Sequence, residues 1–393
     1  MSAVASYEFI APGRIVFGWG RWGEVAPVAA ALGRRAFLIE GSRTLAAGGF
    51  IGRLQAALGE RGLTSVRLAT IAHEPEVPDV DDAVRRVREL GAGAGDLVIG
   101  IGGGSAIDLA KAVAALATNA TGSSVRDYLE GVGRGLQISV PPLPLIAMPT
   151  TAGTGSEATK NAVISSYDPP FKKSLRSDLM MPRAVIVDPQ LAVSVPPAVT
   201  AQTGMDAITQ LIESYISRKA RPIPRSLAID GLRLALGAIE EAVDDGGSRR
   251  AREAMAQAAL LSGMALANSG LGMAHGVAAA LGVHCRTAHG LACALMLPIA
   301  LRINREVCLP QLAQLAQAAG LAQSEPADVA ADLLIARIEA ICRRVGVPSR
   351  LGALGVTAEQ IPALVRDSRG NSMDGNPRTL SDPELTQILE ANL

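Results

Sequence analysis

Asp96-Leu97-Val98-Ile99-Gly100-Ile101-Gly102-Gly103-Gly104-Ser105-Ala106-Ile107-Asp108-Leu109-Ala110-Lys111-Ala112 decides the fold. Its first seven residues form an apolar run suited to a buried strand, and from Ala106 onward the pattern is helical. The glycines between them make a strand-to-helix turn. With no Cβ in the way, successive N–H groups and the positive end of the helix can cradle a pyrophosphate. The run is not the usual GxGxxG fingerprint, so by itself it reads equally well as a tight turn without a ligand.

The same rhythm extends outward from this stretch. Apolar or β-branched runs occupy residues 34–40, 65–71, 144–150 and 183–189, and helical patterns fill 46–62 and 80–92, with Val77-Pro78-Asp79 as a helix start. Alternation of this kind predicts a parallel sheet covered by helices. Beyond Val187-Asp188-Pro189 the strand-like runs stop, and Ala- and Leu-rich helices follow one another, separated by turns such as Asp244–Ser248 and Gly320–Pro326. The reading is α/β plus all-α: an α/β domain over residues 1–185 and a helical domain over 186–393, with the boundary between Pro182 and Asp188.

Bulk composition narrows the function. A chain of 393 residues is long enough for two domains with substantial cores. Lys+Arg and Asp+Glu both number 37, so no electrostatic bias toward nucleic acid or an anionic membrane exists. Aromatic residues are 3% of the chain, too few for base stacking, while 49% is hydrophobic and suits packed helices and parallel strands. No basic segment followed by an apolar core opens the chain, and no apolar run approaches the roughly 20 residues that span a bilayer. A soluble cytoplasmic protein with a small-molecule ligand is expected. Cys285, Cys293, Cys308 and Cys342 have no CxxC spacing and read as free buried thiols.

A second loop, Pro149-Thr150-Thr151-Ala152-Gly153-Thr154-Gly155-Ser156-Glu157, follows the run at 144–150. In an open α/β sheet, ligands bind at the carboxyl ends of the strands, so two such loops are expected to face one crevice. A Ser/Thr turn opening a helix explains one threonine, but not four hydroxyls and two glycines.

Of four histidines, His73, His275, His284 and His289, three fall within fifteen residues. Two of them fourteen residues apart, His275 and His289, could meet a carboxylate from a neighbouring helix in a mixed N/O set suited to Fe²⁺ or Zn²⁺. The carboxylate candidate is Asp206 in Thr203-Gly204-Met205-Asp206-Ala207-Ile208-Thr209-Gln210-Leu211-Ile212-Glu213. Asp206 lies in an apolar stretch, where an unpartnered charge is costly, and Gln210 shares its helix face. A buried core histidine and a first-turn acid are the competing structural readings.

These residues resemble the iron-containing (group III) alcohol dehydrogenases over nearly the whole chain, from Ala11–Gly18 to Asn376-Pro377-Arg378. The specific marks are Gly102–Ser105, Pro149–Glu157, Thr203–Ala207 and His275–Gly290 with Leu297-Pro298. The resemblance implies a Rossmann-like N-terminal domain and an all-helical C-terminal domain, a dehydroquinate synthase-like architecture with cofactor and metal between them, and a homodimer. It places Gly103, Gly104 and Ser105 on the cofactor pyrophosphate, Asp108, Thr150, Thr151 and Thr154 along the nucleotide, and Lys172 at a ribose or phosphate. Asp206, His275 and His289 occupy ligand positions and would be catalytic through the metal. The remaining ligand position is Gln210, whose carbonyl oxygen is a weaker donor than imidazole, although three ligands suffice for an open catalytic site. Ala279 stands where many relatives carry a further histidine, and His284 is a possible substitute.

The implied reaction is hydride transfer between nicotinamide C4 and the carbon of an alcohol or aldehyde. After the run at 34–40, Gly41 and Ser42 replace the acid of NAD-preferring relatives and Arg43 follows, which leans toward NADP. Competing readings are a metal-free reductase similar to maleylacetate reductases, a sugar-phosphate cyclase-type lyase, and a nucleotide-binding protein without activity.

Overall fold

The computed structural model describes residues 6–41 and 43–393, with only the backbone of Arg43. Six parallel strands form one sheet: β1 (Ile15–Phe17), β2 (Arg35–Glu40), β3 (Thr64–Thr70), β4 (Asp96–Gly102), β5 (Leu145–Pro149) and β8 (Ala184–Val187), in the order β1-β8-β5-β4-β2-β3. Between β5 and β8 the chain adds an antiparallel hairpin, β6 (Asn161–Tyr167) and β7 (Pro170–Arg176).

All seven residues of β4 are buried, as a central strand covered on both faces requires. From β2 the chain moves outward to β3 and then returns to β4 on the opposite side of β2, so the connections diverge between the carboxyl ends of β2 and β4. Such a switch point is where an open α/β sheet binds ligands. Glycine makes it narrow: a Cβ on Gly102, at φ +154°, would lie 2.9 Å from the Cα of Gly41, and one on Gly41 would lie 2.7 Å from the Cβ of Ala106. The helix Gly104–Thr118 leaves β4 directly, and helices Phe50–Glu60 and Val77–Glu89 cover the sheet, the latter opened by a Glu76/Asp79 capping box.

From Pro197 to the C-terminus the described chain is helical, around a core that includes Met205, Ile208, Leu211, Leu281, Leu297 and Leu334. The five strands expected from the sequence are β2, β3, β4, β5 and β8. The hairpin and the short β1 were not foreseen, and the helix expected at 46–62 has its long segment at Phe50–Glu60 because Gly48-Gly49 interrupts it.

A buried ionic group ties the hairpin to the sheet domain. Lys111, inside the helix Gly104–Thr118, donates to Asp108 (3.3 Å), the Thr159 hydroxyl (2.7 Å) and the Asn161 carbonyl (2.7 Å). Glu157 is buried beside this network, and burial pushes its carboxyl up from an ordinary 4.5 to about 7 despite Lys111. The folded chain therefore binds this proton more tightly than the unfolded one. The resulting stabilisation is complete below pH 4.5 and is lost as pH rises through about 7, an effect of roughly 3 kcal/mol. Glu157→Gln is expected to remove it: in denaturant titrations the stability of the variant relative to the parent should rise across that window and level off above it. A difference independent of pH would show that Glu157 stays ionised in the fold.

Candidate active site

The helix Pro197–Ile216 carries Asp206, Gln210 and Glu213 at i, i+4 and i+7, on one face and all buried. Asp206 Oδ1 lies 3.2 Å from His275 Nε2 and 3.9 Å from His289 Nε2. Burial alone would raise the Asp206 carboxyl, but His289 and His275 reverse this and hold it below the ordinary carboxylate range.

Glu213 organises the second donor. It accepts from the backbone N–H groups of Gly272 (3.1 Å), Ala274 (2.7 Å) and His275 (3.4 Å) at the start of the helix Met273–Cys285, and from His275 Nδ1 (2.7 Å). Because a carboxylate only accepts, Nδ1 carries the proton and Nε2 is turned to Asp206. Burial opposes charge on His275, yet the Cys293 sulfur and the Asp206 and Glu213 carboxylates hold its imidazole well above the ordinary value. A carboxylate behind a histidine in this way is how proteins orient metal-ligating imidazoles.

His289 opens the helix His289–Asn304, its ring edge-on to His275 with centroids 5.6 Å apart. Burial, then the Lys172 ammonium, push its pKa down to about 4, so it is neutral as a ligand must be. Cys293 follows one turn later, fully buried, with Sγ 3.7 Å from His289 Nε2. Donor atoms of Asp206, His275, His289 and Cys293 all lie within 4.8 Å of one another. The oxygen, nitrogen and sulfur donors, with Glu213 behind His275, fit a divalent transition metal.

Gln210 is close to this set but differently engaged. Its amide nitrogen donates to the Thr154 carbonyl and to Asp206 Oδ1, both at 3.2 Å, and its carbonyl oxygen accepts from Ser262 (2.7 Å). The oxygen that sequence reasoning placed among the ligands is thus held by Ser262.

Asp206, His275 and His289 line a cleft of about 580 Å³ that is lined as well by Gly103, Gly104, Ser105, Thr151 and Thr154. The two loops do face each other. A Cβ on Gly104 would meet Thr154 Oγ1 at 2.7 Å, and one on Gly103 would meet Thr151 Oγ1 at 3.3 Å. No side chain caps the helix Gly104–Thr118, so its first N–H groups keep the anion-binding character of a free helix end.

Other expected residues have different surroundings. Thr150 is buried at the end of β5 and does not line the cleft, and Gly41 packs at the switch point. Ser42 lies outside the described residues. Asp108 lines the cleft, but its carboxylate accepts from Lys111 and from the Val163 backbone N–H (3.0 Å). Lys172, on β7, lines the cleft and is bound by both carboxylate oxygens of Glu74 at 2.7 Å. Ala279 lines the cleft, whereas His284 is held by Asp367 (2.6 Å) and does not.

Sequence reasoning missed Glu213, Cys293 and Glu74. Two carried a signal: Glu213 repeats the helical spacing of Asp206 and Gln210, and Cys293 is four residues after His289. Glu74 carried none, since its partner arrives on an unforeseen hairpin.

Residues 12–189 match the family described as iron-containing alcohol dehydrogenase, and residues 200–393 match the C-terminal part of the same family. Long-chain-alcohol dehydrogenase 1 of Geobacillus thermodenitrificans (strain NG80-2) is 34% identical, over 96% of each chain. Lactaldehyde reductase of Escherichia coli (strain K12) is 32% identical, over 95% of this chain and 96% of its own. The crystal structure of sulfoacetaldehyde reductase from Bifidobacterium kashiwanohense in complex with NAD⁺ superposes with a TM-score of 0.87 at 30% identity, over 99% of both chains. Fold, cleft and matched sequence lead to one conclusion: this chain belongs to the iron-containing alcohol dehydrogenase family.

Proposed function

We propose that this chain is a nicotinamide- and metal-dependent alcohol dehydrogenase acting also as an aldehyde reductase. One observation carries the reading: a single cleft is lined both by a glycine and hydroxyl cradle and by the Asp206, His275 and His289 donors. A nicotinamide held by that cradle would supply hydride-transfer chemistry for the substrate carbon, and a divalent ion held by Asp206, His275 and His289 would supply Lewis-acid polarisation of the substrate oxygen.

The chain's own residues prepare that geometry. Gly103, Gly104 and Ser105 seat the pyrophosphate, and Thr151 and Thr154 form the facing wall. Glu213 fixes the tautomer of His275, while burial and Lys172 keep His289 neutral. Ala279 stands in the wall and His284 is held by Asp367, and the Lys172–Glu74 pair lines the same cleft. A sugar-phosphate cyclase would need a cluster of free cations for its phosphate, but Lys172, Arg176 and Arg369 in the cleft are paired with Glu74, Glu130 and Asp382, which leaves Lys173 as the one lining lysine or arginine outside an ion pair among the described residues. Glu213 behind His275 favours a metal centre over a metal-free reductase.

Aldehyde reduction should fall by roughly 100-fold or more, both on chelation and in His275→Ala, consistent with the several kcal/mol expected of a Lewis acid. Activity should return to the chelated parent with added Fe²⁺ or Zn²⁺; full turnover after both treatments would sink the metal reading.

Glu213→Gln should keep the ligands but weaken metal binding by about 10- to 100-fold, as read by competition with a chromophoric chelator. Unchanged affinity would mean that His275 does not depend on Glu213 for its orientation.

Cofactor choice turns on the end of β2. Gly41 has no side chain, and Glu40 is buried with both its oxygens held by Arg67 at 2.8 Å, so neither opposes a 2′-phosphate. We therefore expect kcat/KM for NADPH at least equal to that for NADH. A strong NADH preference would overturn this.

A further inference from the structure

We propose that Cys293 is a metal ligand in this chain, completing a set with Asp206, His275 and His289 from which Gln210 is excluded. This rests on the reading of the cluster as a metal centre and adds a sulfur donor to it.

The exclusion of Gln210 follows from its hydrogen bonds. Its amide nitrogen lies 3.2 Å from the Thr154 carbonyl and from Asp206 Oδ1, and both of these only accept. Flipping the amide would bring its oxygen against two acceptors and leave the Thr154 carbonyl without this donor. The helix Pro197–Ile216 thus supplies one donor, Asp206, and at the position one turn later presents N–H groups to the site.

The helix His289–Asn304 supplies the compensating pair. His289 and Cys293 are four residues apart and share a helix face. A buried free thiol usually serves as a small apolar side chain, but this one sits among three metal-binding groups. Ligand bonds of about 2.0–2.3 Å around a tetrahedral ion place neighbouring donors roughly 3.3–3.8 Å apart. The separations here are 3.2 Å for Asp206 and His275, 3.7 Å for Cys293 and His289, and 3.9 Å for His289 and Asp206. The other three separations lie within 4.8 Å, so the four donors surround a space of the size an ion requires. Binding displaces the thiol proton to solvent and leaves a thiolate–metal bond.

Cobalt tests the assignment without reference to activity. The full-length chain, stripped of metal and titrated anaerobically with Co²⁺, should bind one ion and show a near-ultraviolet thiolate-to-cobalt charge-transfer band beside the visible ligand-field bands. Cys293→Ser and Cys293→Ala should lose the band, whereas serine at Cys285, Cys308 or Cys342 should leave it in place. The three control variants make the assignment even where a Cys293 variant does not fold. A parent complex with ligand-field bands and no charge-transfer band, or a band that survives in the Cys293 variants, overturns the proposal and leaves the metal centre standing. A folded parent that binds no cobalt overturns both.

Discussion

Gly155 and Gly263 meet backbone to backbone, and the relation between cradle and cluster depends on that contact. A Cβ on Gly263 would stand 2.2 Å from the carbonyl oxygen of Gly155, and one on Gly155 would stand 2.4 Å from the Cα of Gly263. The loop after β5 can therefore lie directly on the helix Arg249–Ser269. Two residues earlier, a Cβ on Gly153 would fall 2.6 Å from that of Thr203, on the helix that carries Asp206. Between these contacts sits Thr154, whose side chain meets Gly104 at the phosphate turn and whose carbonyl accepts from Gln210 beside the donors. The placement of the glycine turn relative to the donors is thus constrained by close packing at Gly153, Gly155 and Gly263, where no side chain intervenes on the glycine side, a condition for holding a reacting pair in fixed register.

The legibility of this arrangement followed the range of the interactions involved. Strands β2, β4, β5 and β8 are buried runs of apolar and β-branched residues, a signal local enough to read without neighbours. The hairpin was invisible for the opposite reason. Its second strand, Pro-Phe-Lys-Lys-Ser-Leu-Arg, buries only Phe171 and Leu175, and it is held by pairing with β6 and by Glu74, far away in sequence. The donor set shows the same division. Asp206, His275 and His289 stand out by residue type and family position, whereas Glu213 and Cys293 carry only a helical spacing, from Asp206 and from His289, that gains its meaning when three helices converge. Cys293 stands four residues after His289, and the fold turns that spacing into an approach of 3.7 Å.

The position of the Lys172–Glu74 pair shows why the hairpin bears on chemistry as well as on shape. Strand β7 packs against the helix Met273–Cys285 and brings the Lys172 ammonium into the cleft wall. Burial would raise the Glu74 carboxyl, but Lys172 and then His289 hold it below the ordinary value, so the pair stays ionic. The ammonium in turn disfavours a proton on His289. A segment that adds no strand to the main sheet therefore tunes a histidine on a different helix.

That tuning fixes how charge is shared around Asp206. His289 is held neutral, and burial pushes the Cys293 thiol up to about 12, so neither offsets the carboxylates of Asp206 and Glu213 in ordinary buffers. Glu213 is answered by three backbone N–H groups as well as by His275 Nδ1. Asp206 has the Gln210 amide and whatever positive charge His275 Nε2 can bring. An isolated carboxylate this deeply buried is unfavourable by several kcal/mol, so Asp206 requires a cationic neighbour. A proton on His275 Nε2 supplies one; a divalent ion between Asp206, His275 and His289 supplies a stronger one at the same place, since it would bind the same nitrogen lone pair. Proton and metal would therefore compete for a single position, and neutral His289 would weight that competition toward the ion, because it adds a second lone pair that an imidazolium there could not.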